Sequence, residues 1–212
     1  LGEPIDELLI SETLRSYGII IPSHNTLKTT TVRARKGKPK RSISGCNLAL
    51  VVDESGSMQA CMKHSRDATL MLIGFAKRYQ YPVFLCTFGD NLYYSSRRWR
   101  IDHFQLALEF AGEYSPMSAT TNVVPALWEL LKHARKDMTI YIISDMEIHD
   151  ALASKGAFKE LGKYAPKVVL FLISPRRRFV EQICDVVKSA GISDVRGYWV
   201  NPLKASKIKD YV

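Results

Sequence analysis

The sequence predicts an α/β fold: an open sheet, mostly parallel with one antiparallel edge strand, and helices on both faces. Three observations carry this reading. Short runs that are apolar throughout alternate with longer segments of helical periodicity. Uniformly apolar strands belong to a parallel sheet covered on both sides. A single "GD" turn at residues 89–90 joins two strand-like runs and makes one hairpin, hence one antiparallel strand. With 212 residues and 46% hydrophobic composition, the chain is long enough for one sizeable core.

The regular pattern starts at residue 46. "NLALVV" (47–52) reads as a buried strand, and 62–79 as a helix with the nearly all-apolar centre "ATLMLIGFA". "YPVFLCTF" (81–88) is a second strand, and "NLYYSS" after the turn is the hairpin partner. Residues 102–112 form a short amphipathic helix. Val123, Leu127, Leu130, Leu131 and Ala134 mark another, with Pro125 in its first turn. "MTIYIIS" (138–144) and "KVVLFLIS" (167–174) are strands on either side of a helix at 155–164. A helix over 177–190, ended by Gly191, leads to a last strand at 194–200, read as an edge.

Residues 1–45 differ. "PIDELLISETLRSYG" places Ile5, Leu8 and Leu9 on one helical face, with Leu14 as a further candidate, and Gly18 stops that helix. Residues 28–45 then carry Lys28, Arg33, Arg35, Lys36, Lys38, Lys40 and Arg41 without an acidic residue. The expected organisation is an N-terminal extension with a basic arm (1–45), one domain (46–200) and a C-terminal tail (201–212). The net charge of +9 suits acidic partners. The four cysteines, Cys46, Cys61, Cys86 and Cys184, are too dispersed for a zinc site or a disulfide framework. Free core thiols fit a reducing, intracellular (cytoplasmic) compartment. No apolar run reaches about 18 residues, so no membrane span is expected.

In such a Rossmann-like sheet, ligands bind beyond the carboxyl ends of the strands, where the strand order reverses. After the first strand comes "DESGS", with Asp53, Ser55 and Ser57. After the strand at 138–144 comes Asp145, followed by Glu147, His149 and Asp150. Before the helix at 123–135 stands "SATTN", with Ser118, Thr120, Thr121 and Asn122. Hydroxyls and carboxylates, without His or Cys pairs, suit Mg²⁺, with Mn²⁺ or Ca²⁺ as alternatives. Taken singly these residues have ordinary roles. Asp53 suits a helix cap, and Ser118 and Thr120 suit loop hydrogen bonds. Glu54 and Glu147 are expected to face solvent and His149 to be a surface residue. Arg97, Arg98 and Arg100, and Arg176, Arg177 and Arg178, read as solvated basic knots. Trp99, Trp128 and Trp199 read as packing residues.

These three elements, in this order, resemble the von Willebrand factor A (VWA) family and its metal-ion-dependent adhesion site. That family carries D-x-S-x-S, a threonine on a second loop and an aspartate on a third. "DESGS" is similar to the first through Asp53, Ser55 and Ser57. "TTNVVPAL" is similar to the second through Thr121, with Thr120 as the alternative. "IISDM" is similar to the third through Asp145, although Met146 stands where the family often has glycine. The resemblance spans about residues 46–200. It implies a metal held by Asp53, Ser55, Ser57, Thr121 and Asp145 that binds an acidic side chain of a partner protein. It further implies a multiprotein assembly, in some relatives with an AAA+ ATPase.

Two other functions are weighed. Ro-like ribonucleoproteins join a VWA domain to an RNA-binding part, and the arm at 28–45 would serve nucleic-acid association here, with steep salt dependence. An enzyme is not expected. Position 55 is serine where a D-x-D phosphatase needs its second carboxylate, and neither G-x-x-x-x-G-K nor G-x-S-x-G occurs.

Overall fold

A computed structural model describes residues 47–173, 180–200 and 209–210. The N-terminal extension 1–45, Cys46, Arg176 to Arg178 and most of 201–212 lie outside them. The elements are β1 (Asn47–Asp53), a 3₁₀ turn (Gly56–Cys61), α1 (Met62–Tyr79), β2 (Val83–Phe88), β3 (Leu92–Ser95), α2 (His103–Glu113) and α3 (Val124–Lys132). They continue with β4 (Met138–Ser144), α4 (Lys155–Leu161), β5 (Lys167–Ile173), α5 (Val180–Ser189), β6 (Asp194–Val200) and β7 (Lys209–Asp210). The sheet order is β3-β2-β1-β4-β5-β6-β7. β1, β2, β4, β5 and β6 pair in parallel, and β3 pairs antiparallel with β2. The α/β reading and its antiparallel hairpin edge are those of the structure.

The all-apolar strands are explained by two cores, one on each face of the sheet. Alternate residues of β1 show this: Ala49 and Val51 join one core, Leu48, Leu50 and Val52 the other. α3, α4 and α5 cover the first face through Leu127, Phe158 and Val187. α1 and α2 cover the second through Ile73, Ala76, Leu106 and Phe110. Cys86 is fully buried, and burial pushes its thiol well above the ordinary range, so it acts as a small core hydrophobe.

The structure corrects several boundaries. β2 starts at Val83 rather than residue 81, because Pro82 has no N–H to give a ladder. α3 stops at Lys132, where His133 and Ala134 tighten to i−3 bonds and Asp137 turns left-handed at φ 61°. β6 is not the outer edge: Lys209–Asp210 returns antiparallel beside Trp199 and Tyr198. Trp128 is not a packing residue, since it is 45% exposed on the outer side of α3.

Arg100 also departs from its expected role as a solvated residue. Its backbone exchanges both hydrogen bonds with Val83 (2.8 and 2.7 Å), which covers part of the β2 edge. Its buried guanidinium holds Asp102 through two 2.6 Å bonds and Glu109 through bonds of 3.0 and 3.1 Å. These hydrogen bonds hold both carboxyls below the usual range. Both carboxylates are partly exposed, so water screens the gain. Arg100→Met is expected to cost about 1–2 kcal/mol in chemical denaturation. A loss under about 0.5 kcal/mol would mean that solvent already supplies most of this pairing.

Candidate metal centre

The three hydroxyl-rich loops meet at the carboxyl ends of β1 and β4, neighbouring strands in the middle of the sheet. Backbone bonds join the first loop to the second: Gly56 N–H donates to Ser118 O (2.6 Å) and Met117 N–H to Glu54 O (3.1 Å). Ser55 and Ser118 form a parallel bridge. A side-chain bond joins the first loop to the third: Ser144 Oγ donates to Asp53 Oδ2 (2.6 Å). Thr121 and His149 join the second to the third. His149 N–H donates to Thr121 O (2.9 Å), and Thr121 N–H donates to His149 Nδ1 (3.1 Å). That second bond requires His149 to carry its proton on Nε2 when neutral.

Each expected site residue falls in this cluster. Asp53 is completely buried, and its Oδ1 accepts Ser55 N–H (2.7 Å). It does not cap a helix: Ser55 leads only into the 3₁₀ turn without a side-chain cap, and α1 starts at Met62. The Ser55 and Ser57 hydroxyls lie 3.0 Å apart, Ser55 buried and Ser57 exposed. Thr121 is buried, whereas Thr120 is exposed and bonds locally to Ser118. Asp145 is buried, and its Oδ1 accepts Glu147 N–H (3.1 Å).

Burial pushes the Asp53 carboxyl up from its ordinary 3.8 to about 7, against the lowering effect of the Ser144 and Ser55 hydrogen bonds. The charge of Asp145 adds to the rise. No Lys, Arg or His among the described residues pairs with either carboxylate. Nor do the described residues contain a metal-ligating group of three or more His, Cys, Asp or Glu side chains. The donor set is instead two carboxylates and three hydroxyls, all oxygen, which fits a hard divalent cation.

Several supporting residues were missed or misread in the sequence. Glu54 does not face solvent. The chain leaves β1 toward β2, and its carboxylate accepts Thr87 Oγ1–H (2.8 Å) and Ser115 N–H (3.1 Å) in a buried position that raises its pKa. Ser144, directly before Asp145, bonds both Asp53 and Met146 N–H (2.8 Å). Asp150 accepts Val123 N–H and Val124 N–H, 2.8 Å each, and so caps α3 from another loop. Tyr114 Oη–H is placed 2.9 Å from Asp53 O and 2.8 Å from Ser65 Oγ. Met146 takes the left-handed conformation (φ 64°) in which glycine is easier, and its side chain is buried in the first core. Glu147 and His149 are exposed, as expected.

Solved structures share this architecture. PilB minor pilin from Streptococcus sanguinis matches with a TM-score of 0.62 at 10% identity, over 76% of this chain and 58% of the pilin chain. The present chain thus spans less than two thirds of that protein. The SpRpn10 VWA domain matches at 0.54 and 15% identity, over 74% of this chain and 89% of its own. The fold is that of a VWA domain. Manganese-loaded TRAP protein from Plasmodium vivax matches at 0.53 and 16%, over 79% of this chain and 76% of its own. At these identities the VWA likeness is one of fold. No protein-family model and no curated protein matches the chain.

Proposed function

We propose that the chain is a protein-interaction module whose VWA loops hold a divalent cation and present it to an acidic side chain of a partner protein. One observation carries this reading: Asp53 and Asp145 are two buried, neighbouring carboxylates, and no cationic side chain among the described residues pairs with either. Buried charge of this kind calls for a proton or a cation. The manganese carried by one structural neighbour supports the same chemistry.

In this reading Ser55, Ser57 and Thr121 supply neutral oxygens, and Asp53 and Asp145 supply the charge. The cation would be Mg²⁺, Mn²⁺ or Ca²⁺. With few carboxylates around it, it would supply a Lewis-acidic position for a carboxylate from outside. The chain's own part is orientation. Ser144 and the Ser55 amide fix Asp53, His149 fixes the backbone at Thr121, and exposed Ser57 opens the site to solvent. No catalytic residue is assigned, and the reading places the partner in a multiprotein assembly, which in some VWA relatives includes an AAA+ ATPase.

Replacing Ser55 and Ser57 together by alanine should weaken Mn²⁺ binding at least tenfold in calorimetry while circular dichroism stays unchanged. Equal affinity in a folded double variant rejects the site. Partner capture should then require the cation and fail in chelator.

A second reading rests on the arm at 28–45, whose seven basic residues suit nucleic acid. Deleting it should abolish salt-sensitive RNA or DNA retention. Retention unchanged by the deletion removes this reading and leaves the first intact.

A further inference from the structure

The helices sort charge along the strand axis. α1, α4 and α5 each join two parallel strands, and α3 leads into the start of β4. All four therefore finish at the amino ends of the strands, opposite the metal loops. Each carries a basic residue in its last turn: Lys77 and Arg78, Lys132, Lys159 and Lys188. Such residues complement the helix dipoles. The loops after α3 and α4 add Arg135, Lys136 and Lys163, which that role does not require.

The charge is densest between α3 and α4. Lys132, Arg135, Lys136, Lys159 and Lys163 are all exposed there. Arg135, Lys136 and Lys159 form no ion pair among the described residues. The Lys163–Glu160 pair is exposed on both sides, so it holds Lys163 only weakly. The Arg135 guanidinium lies 5.2 Å from the centre of the Trp99 ring, which keeps it at this end. Like charges gathered in this way repel one another and favour an anionic partner.

The two loops lie side by side because β4 and β5 are neighbours, with Thr139 paired to Lys167. A cavity of about 190 Å³ opens between them, lined by Lys136, Asp137, Gly162, Lys163, Tyr164 and Pro166. Small-molecule pockets start at roughly 300 Å³. This one suits a single phosphate of a longer chain better than a whole free ligand. Two lysines outweigh the one aspartate, and Tyr164, 37% exposed, adds an aromatic ring.

We propose that this end of the domain binds single-stranded nucleic acid, with a backbone phosphate between Lys136 and Lys163 and a base on the ring of Tyr164. Phosphates use the lysines and a base uses the ring, whereas an acidic protein surface would use only the charge. A duplex keeps its bases stacked inside, away from Tyr164. Lys132, Arg135 and Lys159 extend the basic track for neighbouring phosphates. These residues are separate from the arm at 28–45 and from the metal loops.

The test uses the full 212-residue chain in chelator, with fluorescent oligo(U) and oligo(dT) of about 20 nucleotides read by anisotropy over a salt series. Lys136→Gln with Lys163→Gln should weaken binding at least tenfold. It should also flatten the slope of log affinity against log salt by about 1.4, the share of two phosphates on a single strand. Tyr164→Ala should weaken binding about tenfold and leave the slope unchanged. Lys63→Gln with Lys155→Gln removes the same charge from exposed positions at the metal end and should weaken binding by less than about twofold. Circular dichroism should match wild type in all three variants. The arm is intact in each, so its contribution cancels in these ratios. The proposal is overturned if wild type binds neither oligonucleotide, if the two double variants weaken binding alike, or if Tyr164→Ala binds as wild type. It also falls if poly-glutamate competes as well as unlabelled oligo(U), which would assign this end to an acidic protein. Chelator is present throughout, so the outcome is independent of the metal reading.

Discussion

In the presence of chelator, the folded chain should become less stable as the pH rises from about 4.5 to 8, and Mn²⁺ should reverse that trend. Asp53 is the cause. Its folded pKa of about 7 lies above its ordinary 3.8, so between these values the folded chain holds a proton that the unfolded chain has released. Unfolding free energy then falls with pH. The stabilisation is full below about 4 and lost as the pH passes 7. The difference corresponds to at most roughly 4 kcal/mol, before water entry and loop relaxation reduce it. Buried Glu54, also raised, adds to the same slope. Asp102 and Glu109, both lowered, act in the opposite sense and lose their contribution only as pH falls through lower values. A bound cation replaces the proton, because ligands must be deprotonated, so affinity should rise with pH.

Asp53→Asn separates these contributions. It should abolish Mn²⁺ binding and, in chelator at pH 8, make the chain more stable than wild type by about 2 kcal/mol, since an uncompensated buried charge is gone. Chemical denaturation at both pH values, with chelator or Mn²⁺, measures all of this. A flat wild-type profile in chelator, or a slope unchanged by the substitution, would refute the assignment of the charge to Asp53.

Gly56→Ala should damage the site directly. A Cβ at this position would stand 2.9 Å from the carbonyl oxygen of Ser118, closer than side-chain carbons come to backbone. Neither partner can yield cheaply, because the Gly56 N–H is bonded to that same oxygen at 2.6 Å. Ser118 is also confined from the other side: a Cβ on Gly89 would meet the Ser118 Cβ at 2.6 Å. Forcing the loops apart is expected to cost about 2–3 kcal/mol. It should weaken cation binding at least tenfold, because Ser55, Ser57 and Thr121 stand on the two separated loops. Denaturation and Mn²⁺ calorimetry read the two effects. Wild-type values in both would show that the loops are loose enough to absorb a methyl group.

The central strands were legible because burial on both faces leaves "LALVV", "MTIYIIS" and "VVLFLI" apolar at every position. The ends of elements were less legible, because α3 stops through its own i−3 bonds and β6 gains a neighbour from a stretch without a strand pattern. At the site, Asp53, Ser55, Ser57, Thr121 and Asp145 stood out because each follows a strand or precedes a helix. Glu54 was misread because its compensation is distant in sequence: Thr87 and Ser115 satisfy a carboxylate that looks solvent-bound from its neighbours alone.

The sequence by itself determined the α/β class, the order of strands and helices, and the loops that carry hydroxyls and carboxylates. Periodicity and strand-end position are local properties, written within a few residues. The tertiary structure alone decided that Thr121 turns inward and Thr120 outward, that Ser144 and His149 hold the site, that Asp150 caps α3 and that Arg100 is buried between two carboxylates. Those outcomes depend on which groups lose water together, and burial brings together residues that sequence spacing keeps apart.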